Sequence, residues 1–217
     1  MCRAIRHIFE KCRVLGGWAM KSKKEKLSPQ AERTKHHLKE AYIELINEKG
    51  YSHVSVTDIV QRAQYNRATF YLYYLDKPDL TEELLREMFQ QIKRTSTERY
   101  EKGADILTSA MDADSFELIS FVYDNRSFFN LYLVEDTIPG LHGELPQAIF
   151  EMLDEGFTFE GIGSDDINST PFKLYMAHGT AGLILEWAKT GYEKSPKEMT
   201  GTLISIVRSF AAAFRVN

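Results

Sequence analysis

Apolar residues recur along this chain mostly at helical spacing rather than in alternation. Leu38, Ala41, Tyr42, Leu45 and Ile46 fall at i, i+3, i+4, i+7 and i+8, which predicts an amphipathic helix from near Ala31. Lys49 sits in its last turn and Gly50 just beyond, the position glycine favours as a stop. Ser55 followed by Asp58 has the form of a capping box, so SVTDIVQRA opens a second, short helix. The residues QYN interrupt it. Asn66 is a good N-cap for another short helix through Tyr73 or Tyr74. Asp76 caps a third, with Pro78 in the first turn, where a missing N–H costs nothing. That helix carries Leu80, Leu84, Leu85, Met88, Phe89 and Ile92 as its buried stripe.

The stretch NRATFYLYYLDKPDL packs Phe70, Tyr71, Tyr73 and Tyr74 close together, a density that taken alone suggests a strand. The capping signals at Asn66 and Asp76 leave no room for one. In helical phase Phe70 and Tyr74 share a face, and Ile59, Ala63 and Tyr65 complete a small core with them. Tyr71, Leu72 and Tyr73 point elsewhere. Two short helices joined by a turn and flanked by longer ones form the helix-turn-helix layout. Beyond residue 100 the pattern again reads as helical, through SFELISFVYDN, RSFFNLYLVE and LPQAIFEMLDEGF. TIPGLHGELP and EGIGSDDINSTP are expected breaks. Two long helices, roughly residues 171–189 and 196–215, close an all-α fold.

Composition adds exclusions. With 43% hydrophobic and 27% charged residues among 217, a real core is available. No apolar run approaches the roughly 18 residues that span a bilayer. Cys2 and Cys12 match no zinc or redox spacing and read as free thiols of a reducing cytoplasm. The histidines His36, His37, His53, His142 and His178 show no metal or HExxH spacing. No nucleophile elbow or P-loop appears. No catalytic residue, metal or cofactor is therefore expected.

The net charge of −4 hides an asymmetry. Residues 1–77 hold 15 Lys and Arg against 8 Asp and Glu, and the remainder 12 against 23. A basic end joined to an acidic body points to a polyanionic partner at one end. The domains expected are an arm over 1–30, a helix-turn-helix over 31–77 and a larger helical domain over 78–217. Met20 opens a polar, basic stretch, so residues 1–19 are expected to be dispensable.

Over roughly residues 33–80 the sequence resembles the DNA-binding domain of the tetracycline-repressor (TetR) family of bacterial regulators. Gly50, Tyr51, Ser55, Asp58, Ile59, Ala63, Thr69, Phe70, Tyr71, Tyr74, Lys77 and Leu80 carry the likeness. Gln64 and Ala68 depart from it, standing where the family usually has glycine. The resemblance implies an all-α regulator with an N-terminal three-helix helix-turn-helix domain and a helical effector-binding and dimerisation domain. Its partners would be double-stranded operator DNA, a small-molecule effector and a second copy of itself. A protein-interaction adaptor or co-activator on the same fold is the alternative.

A recognition helix puts its N-terminal residues into the major groove. Arg67 suits guanine O6/N7, and Ala68 and Leu72 suit thymine methyls; Tyr71 reaches a base methyl or a phosphate. By resemblance Thr57, Thr69, Tyr73 and Lys77 meet phosphates or groove edges, beside the caps Ser55 and Asn66. A basic arm of Lys21, Lys23, Lys24, Lys26, Arg33 and Lys35 would follow adjacent phosphates or remain a solubilising tail. In the larger domain the family's inducer pocket corresponds to aromatics including Phe116, Tyr123, Phe129, Tyr132 and Phe150, with Tyr175 and His178 as polar handles. Its two-fold interface corresponds to Gly179, Leu183, Leu203, Val207, Phe210 and Phe214. Ordinary intrachain packing would use both sets equally well.

Overall fold

The computed structural model describes residues 28–163 and 165–217. The chain divides into residues 1–34 and 35–217; apart from the opening turns of the first helix, every described element belongs to the second unit. The lysines expected in the arm between residues 21 and 26 lie outside the described residues, as does the extension over residues 1–19.

Helix α1 (Pro29–Lys49) ends at Gly50, whose φ of 85° is left-handed. A 3-10 turn (Tyr51–His53) leads to α2 (Val56–Arg62), α3 (Arg67–Tyr71) and the long α4 (Lys77–Thr97). The caps read from sequence are present. Ser55 and Asp58 form a reciprocal capping box, Asn66 caps α3, and Asp76 caps α4 with Pro78 in its first turn. Helix α3 ends at Tyr71, sooner than the pattern suggested. Leu38, Tyr42, Ile46, Ile59, Phe70, Tyr74 and Leu80 are buried together.

The larger part adds α5 (Leu118–Asp124), α6 (Arg126–Phe129), α7 (Leu141–Gly156), α8 (Thr170–Lys189) and α9 (Pro196–Arg208). Helix α7 starts before the expected break ends and holds Pro146 inside it. The helical class is as expected, with one addition. Among the described residues three short strands, β1 (Asp105–Leu107), β2 (Phe157–Gly161) and β3 (Ala211–Val216), form an antiparallel sheet in the order β1-β3-β2.

The last predicted helix therefore stops at Arg208. Ala-Ala-Ala intrinsically favours helix, but here β3 pairs with a distant strand on each side. Ile106 and Phe159 both register with Phe214. Arg215 makes two 2.8 Å hydrogen bonds to Asp105 across the strands. The Arg208 guanidinium donates to the carbonyls of Thr108, Ser109 and Met111 and pins the turn after β1.

Candidate nucleic-acid interface and ligand cavity

The short helices α2 and α3 are fixed by their caps, and α2 also by ion pairs to α1. The Asn66 side chain accepts from the Thr69 amide at 2.8 Å and from the Thr69 hydroxyl at 3.0 Å. Asp58 accepts from the Ser55 amide at 2.8 Å; hydrogen bonds from Ser55, then from Lys49, keep its carboxyl well below the usual range. Arg62 on α2 pairs with Glu48 and Glu44 of α1. Between the helices Gln64 takes a φ of 60°, the left-handed conformation that the family's usual glycine adopts without strain.

Glu83 of α4 joins α4 to α1 and to Tyr74, just past α3. It pairs with Lys35 at 2.5 Å and Lys39 at 2.7 Å and accepts from the Tyr74 hydroxyl at 2.8 Å. Burial raises its carboxyl, but hydrogen bonds from Lys35, Lys39 and Tyr74 outweigh this and bring it down to about 2. Lys35, foreseen as part of a phosphate-wrapping arm, is thus engaged inside the fold.

These constraints leave the outer face of α3 to solvent. Arg67, Ala68, Tyr71 and Leu72 are exposed, Tyr71 by 50% and Leu72 by 77%. Arg67 Nη2 donates to the Tyr71 hydroxyl at 3.2 Å, so the two side chains form one unit. Ser55, Thr57 and Asn66 are exposed beside them, while Thr69 and Tyr73 are half-buried. Leu75, which no sequence pattern singles out, is 84% exposed just beyond α3.

Lys77 stands apart from this surface. Its ammonium donates to the Tyr51 carbonyl at 2.9 Å and lies 4.0 Å from the centre of the Tyr51 ring. Burial lowers the ammonium's pKa, with Asp136 opposing. The Tyr51–His53 turn is gripped from the other side by the Asp136 segment: the Tyr51 amide donates to the Asp136 carbonyl at 2.6 Å, and the Ser52 amide and hydroxyl donate to its carboxylate at 2.9 and 2.6 Å. A junction made of residues 84 positions apart carries no local sequence signal.

Farther along, a cavity of about 350 Å³ opens between α7, α8, α9 and the sheet, with Ser96 and Tyr100 also in its wall. Of the seven residues expected at an effector pocket, it brings in Phe116 and Tyr175. Phe129 and Tyr132 are buried elsewhere, their rings 6.4 Å apart. Tyr123 stacks on Trp187, Phe150 is half-buried and His178 is exposed. Of the six interface residues, Gly179, Leu183, Leu203, Val207 and Phe214 line this cavity instead, and Phe210 packs on Phe172. Phe214 belongs to β3 rather than a helix and packs against Tyr100, Phe157 and Phe159. Helical phase explains the exchange. On α8 and α9 the exposed face includes Tyr175, His178, Gly182, Gly201, Ser205 and Ile206, and most of the larger apolar residues turn inward.

Among the described residues no cluster of histidine, cysteine or carboxylate side chains could hold a metal ion, and no helix is long and apolar enough to cross a membrane.

Residues 40–84 match the model of bacterial regulatory proteins of the tetR family, and residues 115–209 match a transcriptional regulator C-terminal region. The chain is 21% identical over 181 residues to an HTH-type transcriptional regulator of Bacillus subtilis (strain 168), YxbF, covering 81% of this chain and 45% of that protein. A second regulator of that strain, YvdT, is 43% identical over 58 residues, 25% of this chain and 30% of its own length. The chain thus spans less than half the length of the curated relatives it matches.

Among solved structures, the dihydroxyacetone kinase operon activator DhaS superposes with a TM-score of 0.58 at 16% identity, over 81% of this chain and 94% of that one. A TetR regulator from Streptococcus agalactiae 2603V gives 0.53 at 20% identity, over 82% and 95%. These likenesses concern the fold. Taken with the two family models and the helix-turn-helix geometry, they lead to one conclusion: the chain belongs to the TetR family of bacterial regulatory proteins.

Proposed function

We propose that this regulator is a ligand-responsive repressor that binds a palindromic operator as a homodimer in the cytoplasm. The observation that carries the reading is the outer face of α3, where Arg67, Ala68, Tyr71 and Leu72 are exposed while the helix is capped at its start and anchored by buried Phe70. Arg67 pairs with a guanine edge, and Ala68 and Leu72 contact thymine methyls. Tyr71 orients Arg67 and meets a methyl or a phosphate. Ser55, Thr57, Asn66, Thr69 and Tyr73 flank the groove and position the helix on the backbone. Lys77 acts through the Tyr51 carbonyl it holds.

Dimerisation across the exposed face of α8 and α9 supports the palindrome. Gly182 and Gly201 meet nothing within 4 Å of an added Cβ, although glycine costs about 1 kcal/mol in a helix interior. Close approach of a second copy accounts for both. Two recognition helices would then sit about 34–36 Å apart.

The effector occupies the cavity and shifts the population of DNA-competent dimers. Helix α4 links the two ends: its first turn adjoins the Tyr51 junction and Ser96, in its last turn, lines the cavity. Its 21 residues extend about 31 Å at 1.5 Å per residue.

The test is selection of duplexes from a random pool, followed by anisotropy titration of the selected site and of Arg67→Ala. Preference for a palindrome, relaxed at one base pair per half-site in the variant, supports the reading. Equal affinity for selected and random duplexes contradicts it. A reporter fused to the selected site gives the sign, with repression expected.

A further inference from the structure

The cavity wall is specific about what it excludes. No lysine, arginine, histidine, aspartate or glutamate lines it. Of its polar side chains, Ser96 donates its hydroxyl to the Ile92 carbonyl and Tyr100 donates to the Ser115 carbonyl at 2.6 Å. Tyr175 is 75% exposed at the mouth. Thr180 remains, half-buried in the wall, its hydroxyl without a hydrogen-bond partner among the described residues. An ion placed here would leave its hydration shell and meet no counter-charge, which is heavily penalised.

We infer that the cavity takes an uncharged, mainly hydrocarbon ligand carrying a single hydrogen-bonding group that reaches Thr180. This deepens the effector reading above and rests on it. The volume of about 350 Å³ is at the small end of the range for ligand sites, roughly 300–1,000 Å³, so the ligand is compact or a single chain. Met111, Met152 and Met176 share the wall. Methionine side chains re-pack readily around different shapes, so the site selects by charge and polarity more than by outline. Long-chain or cyclic alcohols, ketones and neutral esters fit this description. Fatty acids and cationic amphiphiles do not.

The full chain is titrated with the neutral fluorophore N-phenyl-1-naphthylamine, which is then displaced with decanol, decanoate or decylammonium. Decanol is expected to displace the dye, and the two ions to do so about a hundredfold less well. Thr180→Val keeps the shape of the wall and should weaken decanol about tenfold while leaving the dye unaffected. Gly179→Phe adds a side chain in the cavity wall whose Cβ meets nothing within 4 Å and should abolish dye binding, with the melting temperature and sedimentation coefficient of the parent. Decanoate or decylammonium binding as well as decanol overturns the inference. So does failure of the dye and decanol to bind at all, or dye binding unchanged in a folded Gly179→Phe. If decanol binds as described but leaves operator affinity untouched, the ligand class stands and the effector reading falls.

Discussion

Gly50 and Asp136 are so close that a Cβ added at residue 50 would lie 2.5 Å from Asp136 Oδ2 and 2.9 Å from its Cβ. Gly50 also has a φ of 85°, so it is required twice over, for its conformation and for the approach. Gly50→Ala should therefore cost at least about 2 kcal/mol in urea unfolding. Adding Asp136→Gly should recover the steric part and leave the conformational part, a coupling that a double-mutant cycle reads directly. Purely additive losses would mean that the two residues do not meet in solution.

Gln64 has a φ of 60° where the family usually has glycine. Left-handed backbone costs a residue with a Cβ about 1–2 kcal/mol, partly offset because glycine gives the unfolded chain more freedom. Gln64→Gly should consequently stabilise the protein by a few tenths to about 1 kcal/mol, raising the urea midpoint without changing the slope. A lower midpoint would show that the glutamine side chain does something the turn geometry does not require.

The pairing of Glu83 with Lys35, Lys39 and Tyr74 makes stability pH-dependent with a definite sign. Its carboxyl is depressed from the ordinary 4.5 to about 2. The folded state thus gains stability that is fully present above about 4.5 and lost as pH falls toward about 2. Glu83→Gln should be less stable than the parent at neutral pH, and the gap should close across that window. A gap that stays constant with pH would place the stabilisation in shape rather than charge.

Arg67 and Lys77 should separate on DNA. Arg67→Ala should lose about 1–3 kcal/mol of preference at one base pair, with little effect on stability. Lys77→Ala removes a hydrogen bond and a ring contact to Tyr51, so it should lower stability by about 1–2 kcal/mol. It should weaken all duplexes alike and leave the salt dependence unchanged. A salt slope reduced by about one charge would instead put its ammonium on a phosphate.

The helix-turn-helix end was legible because its information is local. The caps at Ser55, Asn66 and Asp76 lie within three residues of the groups they bind, and helical phase alone separates buried Phe70 and Tyr74 from exposed Tyr71 and Leu72. The rest depends on distant pairs. Strand β3 forms because Phe214 registers with residues 106 and 159, overriding the helical preference of its alanines. The hydrogen bond from Arg208 to Thr108 spans 100 positions and that from Ser52 to Asp136 spans 84. Small and large residues on α8 and α9 were recognisable, but which face turned inward was not. Residues expected at an interface therefore came to line a cavity.

The most direct test is fluorescence anisotropy of the full chain on its selected duplex and on a scrambled one, at physiological salt, alongside Arg67→Ala. The expected result is a parent that prefers the selected duplex by about a thousandfold or more, with much of that preference lost in the variant while scrambled DNA binds both proteins alike. Equal binding of both duplexes by the parent, or full preference retained without Arg67, would contradict sequence reading by α3.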